Sequence, residues 1–129
     1  MKAHISQAKK KTVLLYGLPP EQQSALAAIF EKEGTACRSV AENETAATLA
    51  QLLDGGALPP ATGALSVTGK FAVLDGFENE ELRAAAAQIN SICPGVIKAA
   101  RTAHNSGWSF HALCQELAAE HEAMTGGKS

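Results

Sequence analysis

Aromatic side chains are scarce. They make up 5% of the 129 residues, with one Trp, one Tyr and four Phe. A core must then rest on Ala, Leu, Val and Ile, which the 46% hydrophobic composition supplies. Cysteine is sparse too: Cys37, Cys93 and Cys114 are scattered without CxxC spacing. An odd, scattered set points away from a disulfide framework and towards reduced thiols. No apolar run approaches the roughly 20 residues needed to span a bilayer. Residues 1–12 lack the continuous apolar stretch of a signal peptide. Positive charge is not in excess either, since the formal net charge is -2. Affinity for nucleic acid needs a concentrated basic surface, so none is expected. The one basic cluster, Lys9 to Lys11, reads as a solvated, frayed N-terminal segment spanning residues 1–11. These absences give the expectation of a bacterial-type cytoplasmic protein with neither a membrane nor a nucleic-acid partner.

What is present is alternation. "KTVLLYGL" is a short apolar run ending in Gly, the pattern of a strand buried on both faces. "PPEQQSALAAIFEKEG" follows, with Pro in the first turn, Glu21 near the start and Gly34 at the end; these mark a helix with the stripe Ala25, Leu26, Ile29 and Phe30. "ACRSVAE" is a weaker strand. "NETAATLAQLLDGG" reads as a helix capped by Asn43, with the stripe Leu49, Leu52 and Leu53 and a stop at Gly55–Gly56. Residues 54–69, rich in Pro, Gly and small side chains, read as a long loop. "KFAVLDGF" is a third strand, "ENEELRAAAAQINSIC" a helix opened by acids, and "PGVIKAART" a fourth strand. "GWSFHALCQELAAEHEAM" is the last helix with its entry, and residues 125–129 are a tail.

The order β-α-β-α-β-α-β-α predicts one α/β domain over residues 1–129. Its expected form is three-layered, with a four-stranded, mostly parallel sheet of order 2-1-3-4 and helices on both faces, flavodoxin-like or receiver-like. "VLLYGLPPEQ" and "AVLDGFENEE" echo each other, as two βα units built by the same rules would. In such sheets ligands bind beyond the carboxyl ends of the strands, where strand order reverses. If the order is 2-1-3-4, that switch lies between the first and third strands, and Tyr16, Asp75, Arg101, Thr102, His104, Asn105 and Trp108 crowd one edge of the sheet. Asp75 then has the chemistry of an acid or base, Arg101 of an anion clamp and Asn105 of an orienting amide.

The stretch from Thr102 to His121 holds the only Trp and three of the four His residues. Ser109 suits the N-cap of the last helix, which places Trp108 before the cap and Leu113 at the fourth helical position, the two ends of a hydrophobic staple. Phe110, Leu113, Leu117 and Met124 continue the apolar face. His111, Cys114 and His121 share a helix, but no HExxH and no acidic cluster completes a metal set, so they read as packing residues. Cys114 at the edge of a buried face is a poor nucleophile. "GALSVTGKF" mimics a phosphate loop, but its glycines are one residue too far apart, Phe71 stands where Ser or Thr is required, and a strand follows instead of a helix. No cofactor, no metal and no catalytic residue is therefore expected.

"VLDGFENEEL", Thr102, Asn105, Trp108, Leu113, Glu116, Leu117 and Glu120 follow a pattern of strand ending in Gly, helix, strand ending in Thr, then Asn, Trp and a Leu- and Glu-rich helix. This resembles the bacterial domain-of-unknown-function family numbered 3783 over residues ~70–124, a resemblance that implies no activity. A weaker likeness is to the response-regulator receiver domain, through Asp75 at a strand end and Thr102 after the fourth strand. That likeness lacks the acidic pair after the first strand that would hold Mg²⁺, and lacks a fifth strand with a Lys, so it implies a scaffold without phosphotransfer.

The functional expectation is a non-catalytic binding or regulatory module, acting on a protein partner or small molecule through the loops at one sheet edge. The alternatives are a small-molecule-binding protein or small enzyme using Asp75, Arg101 and Asn105, and a subunit of a larger assembly. Four strands leave two open edges, and a homodimer that covers one is a further expectation.

Overall fold

The computed structural model describes residues 11–54, 67 and 69–125, without the side chains of Asn43 and residues 123–125. Lys9, Lys10, most of the 54–69 loop, the Met124 side chain and most of the tail lie outside the described set. The elements are β1 (Thr12–Tyr16), α1 (Pro20–Lys32), β2 (Ala36–Ser39), α2 (Leu49–Asp54), β3 (Phe71–Asp75), α3 (Asn79–Ile92), β4 (Ile97–Ala100) and α4 (Phe110–Thr125). Together they form one α/β domain with a four-stranded open sheet. Among the described residues no helix is long and apolar enough to cross a membrane.

The strand order is β2-β1-β3-β4, as expected. β1 with β2 and β3 with β4 are parallel. The central pair differs: β1 and β3 run antiparallel, with Thr12 opposite Asp75, Leu14 opposite Val73 and Tyr16 opposite Phe71. The sheet is thus mixed and mostly parallel, as expected, while the flavodoxin-like likeness holds for order and layering but not for the direction of this pair. Sequence pattern is blind to that direction, because a strand buried on both faces reads the same either way. Both central strands are such runs: Val13, Leu14 and Leu15 are buried, as is every residue of β3.

Side chains alternate across the sheet and feed two cores. On one face Val13, Leu15, Ala72 and Leu74 meet Leu26 and Phe30 of α1 and Ala85 and Ile89 of α3. On the other Leu14, Phe71 and Val73 meet Leu49 and Leu52 of α2 and Phe110, Leu113 and Cys114 of α4. Leu26 and Phe30 lie four apart, as do Ala85 and Ile89, so each pair stacks on one helix face.

The helix starts follow local chemistry. Pro20 occupies the first turn of α1. In α3 the Glu78 amide donates to Glu81 Oε1 at 2.9 Å, a carboxylate reaching back to the helix entry. The second helix begins later than the sequence implies. Residues Glu42–Glu44 make a short 3₁₀ turn, and α2 starts at Leu49 rather than after Asn43. Thr48 is its cap: Thr48 Oγ1 accepts from the Gln51 amide at 3.1 Å, and the Thr48 amide donates to Gln51 Oε1 at 2.8 Å. A Thr-x-x-Gln box fixes the start more firmly than an isolated Asn.

Gly17 turns the chain out of β1 at φ 84°, and a Cβ there would collide with the Gly69 carbonyl oxygen. Gly34 has a similar φ of 81° but meets nothing within 4 Å. Both pay left-handed strain on substitution, and only Gly17 pays a backbone collision as well. Gly34→Ala is therefore expected to cost about 1 kcal/mol and Gly17→Ala about 3 kcal/mol. Urea unfolding of the two variants measures the difference; equal losses would contradict the close approach.

Candidate functional site

The antiparallel central pair decides where the site residues fall. Asp75 ends β3 opposite Thr12, the first residue of β1, so Tyr16 at the far end of β1 lies at the other edge of the sheet. The grouping expected from the strand order is corrected accordingly: Tyr16 does not join the other six. Its hydroxyl donates to the Val67 carbonyl at 3.1 Å, and its ring packs 5.6 Å from that of Phe110. Burial raises the Tyr16 pKa, and the nearby Glu42 carboxylate adds to the rise.

Asp75, Arg101, Thr102, His104, Asn105 and Trp108 do converge, around the turn from β4 to α4. Parallel pairing of β3 with β4 carries both strand ends to one edge, where the Arg101 amide donates to the Leu74 carbonyl at 2.9 Å. The Arg101 guanidinium is the hub. Nη1 and Nη2 form a two-pronged bridge to Asp54 Oδ1 and Oδ2 at 2.8 and 2.9 Å. Nε donates to Ser106 Oγ at 2.8 Å, and Asp75 Oδ2 lies 3.5 Å from Nη1. The Arg101 side chain is 13% exposed and that of Asp75 8%. Hydrogen bonding to Asp54 raises the guanidinium pKa, against burial, which lowers it. One planar fork thus ties the end of α2, the end of β3 and the turn together, a task suited to Arg rather than Lys.

Asn105 is buried within the turn. Its Oδ1 accepts from the Thr102 amide at 2.8 Å, its Nδ2 donates to the Ala100 carbonyl at 3.2 Å, and its own amide donates to Thr102 Oγ1 at 3.1 Å. The Thr102 carbonyl accepts from the Ser106 amide and hydroxyl at 3.1 and 2.9 Å. Asn105 therefore acts as scaffolding, satisfying backbone groups that the chain reversal would leave unpaired.

Ser109 caps α4 as expected, its Oγ accepting from the Ala112 amide at 3.0 Å. Trp108 is half-buried and packs against the core cluster that contains Leu113, in keeping with the staple. Its ring meets the exposed His104 edge-on at 5.2 Å. The outward surface of the turn consists of Thr102, Ala103, His104 and Gly107 with the edge of Trp108.

Two contributors carried no sequence signal. Asp54 sits 47 residues from Arg101, and Ser106 differs in no visible way from any turn serine. Among the described residues no group of three or more His, Cys, Asp or Glu could hold a metal ion. Burial pushes the Cys114 thiol up to about 12 and, more than the Glu31 charge, the Cys37 thiol up to about 11. Both stay protonated and unreactive near neutrality.

Two outcomes follow. Asn105→Ala, which strands buried backbone groups, is expected to cost about 2 kcal/mol, whereas Asp54→Asn, at a half-exposed bridge, costs less than about 1 kcal/mol; chemical denaturation measures both. Ellman's reagent at pH 8 should react slowly with Cys37 and Cys114 in the native protein and promptly in denaturant, and fast native labelling of Cys114 would contradict its burial.

No curated protein and no solved structure matches the chain. A family model does match, from Lys70 just before β3 to Met124, one residue short of the end of α4. The family described as Domain of unknown function (DUF3783) matches residues 70–124, the segment that carries the Arg101–Asn105–Trp108 turn.

Proposed function

We propose that the protein is a non-catalytic binding module whose contact surface is the β4–α4 turn, with a protein as its partner. One observation supports this reading above others: the groups with chemical potential at this edge are engaged in holding the turn, while its outer face displays His104 and the edge of Trp108. Arg101 is occupied by Asp54, Ser106 and Asp75, and Asn105 by the backbone. A turn held this firmly presents its aromatic face without a large ordering cost on binding, and Trp is the side chain most often found at binding hot spots. Residence in the bacterial cytoplasm accords with this role, since all three cysteines are free.

A paired experiment tests the reading. Wild type, His104→Ala and Asp75→Asn are used as bait, and the same proteins are melted with metals, nucleotides, sugar phosphates and common metabolites. The expected result is one or more proteins retained by wild type and Asp75→Asn, lost with His104→Ala at unchanged melting temperature, and no melting shift from the small molecules. A small molecule at a hundredfold excess over its Kd would stabilise by about 2.7 kcal/mol. Such a shift, abolished by Asp75→Asn, would overturn the proposal in favour of a ligand-binding edge.

A further inference from the structure

We propose that the seam between residues 11–54 and residues 70–125 is a two-fold interface that also operates between chains, so that two copies exchange halves to form a dimer when the connection between the halves is too short to close within one chain. This goes beyond the binding surface above and does not rest on it.

The seam is reciprocal in its backbone bonding. Each half reads strand, helix, parallel strand, turn, helix. Place β1 on β3, and the pairing Thr12–Asp75 becomes Phe71–Tyr16, which is also present; Val13–Leu74 becomes Ala72–Leu15, also present; Leu14–Val73 maps onto itself. The outer strands follow: Thr12 pairs with Ala36 as Phe71 pairs with Ile97, and Leu15 with Ser39 as Leu74 with Ala100.

The turns obey the same operation. Thr48 bridges Ser109, the two helix-capping residues facing each other. The Leu49 amide donates to the Trp108 carbonyl at 3.0 Å, and the Phe110 amide to the Ala47 carbonyl at 2.8 Å. The Ala50 amide donates to the Ser106 carbonyl at 3.0 Å, and the His111 amide to the Thr45 carbonyl at 2.9 Å. The turn after β2 has the Ala41 amide donating to Glu44 Oε1, as the turn after β4 has the Thr102 amide donating to Asn105 Oδ1. Glycines of positive φ stand at matching corners, Gly17 with Gly76 and Gly34 with Gly95. Donor and acceptor exchange places across one axis, which is the property of an isologous dimer interface. Here it is closed within a single chain.

Such a seam cannot distinguish a half in its own chain from the same half in a second copy. What decides between them is the connection from Asp54 to β3. In one chain that connection keeps the halves at an effective concentration of order millimolar, so the monomer prevails at micromolar protein. Asp54 is tied through Arg101 to the Asp75 end of β3, while the chain must enter β3 at the Phe71 end. The four Cα steps of β3 from Phe71 to Asp75 span about 13 Å. Deleting residues 55–69 leaves only Lys70, and the two Cα steps from Asp54 to Phe71 then reach about 7 Å at most. Closure within one chain is then excluded, and exchange is the only way to form the seam.

The test is light scattering and far-UV circular dichroism on the chain lacking residues 55–69, beside a second variant carrying ten extra Gly/Ser residues after Gly56. The expected result is a dimer of twice the chain mass with wild-type helix and strand content for the deletion, and a folded monomer for the insertion. A folded monomer from the deletion would overturn the proposal, since the halves would then close by another route. An unfolded or polydisperse deletion beside a folded insertion variant would overturn it equally, because the seam would fail without the tether.

Discussion

The antiparallel pairing of β1 with β3 is the constraint on which the remaining structure depends. β3 is buried along its length and β1 at its three central residues, so their backbone groups there have only each other and the flanking parallel strands as partners. Their direction sends the two parallel pairs opposite ways. The ends of β1 and β2 point to one edge of the sheet and the ends of β3 and β4 to the other. Each half must therefore complete its own corner: Tyr16 serves one edge, Asp75 and Arg101 the other. Thr48 meets Ser109 because the same operation relates the two helix entries.

The aromatic poverty of the chain has a structural counterpart in this arrangement. Three Phe residues are fully buried, Phe30 under one face of the sheet and Phe71 and Phe110 under the other, and branched aliphatics fill the rest. A core of this kind depends on a narrow central strand pair rather than on large rings. The single Trp is left to the turn, where its ring covers the second core and abuts His104. Arg101 and Asn105 divide the work of that turn. The guanidinium fixes it against α2 and β3, and the amide satisfies its own backbone.

Much of this was legible in the residues. Apolar runs ending in Gly located β1 and β3, Pro20 and the acids after Phe77 located two helix starts, and Ser109 and Trp108 announced the entry to α4. Strand order followed from alternation. Strand direction did not, because burial on both faces erases the period that would distinguish a parallel from an antiparallel neighbour. That single ambiguity moved Tyr16 away from the six residues it was grouped with. The late start of α2 was hidden for a different reason: Asn43 and Thr48 are both acceptable caps, and the choice falls to the contact of Leu49 with Trp108 across the axis, a long-range fact. Asp54 was invisible for the same cause, its role being fixed by Arg101 far along the chain. The echo between "VLLYGLPPEQ" and "AVLDGFENEE" was readable, and the structure extends it from two βα units to reciprocal hydrogen bonds.

The central claim, the antiparallel seam, is tested most directly by nuclear Overhauser contacts between backbone protons of β1 and β3 in the labelled, full-length protein. Contacts joining Thr12 to Asp75 and Tyr16 to Phe71 are the predicted result. Contacts joining Thr12 to Phe71 and Tyr16 to Asp75 would place the strands parallel and would contradict the account at its base.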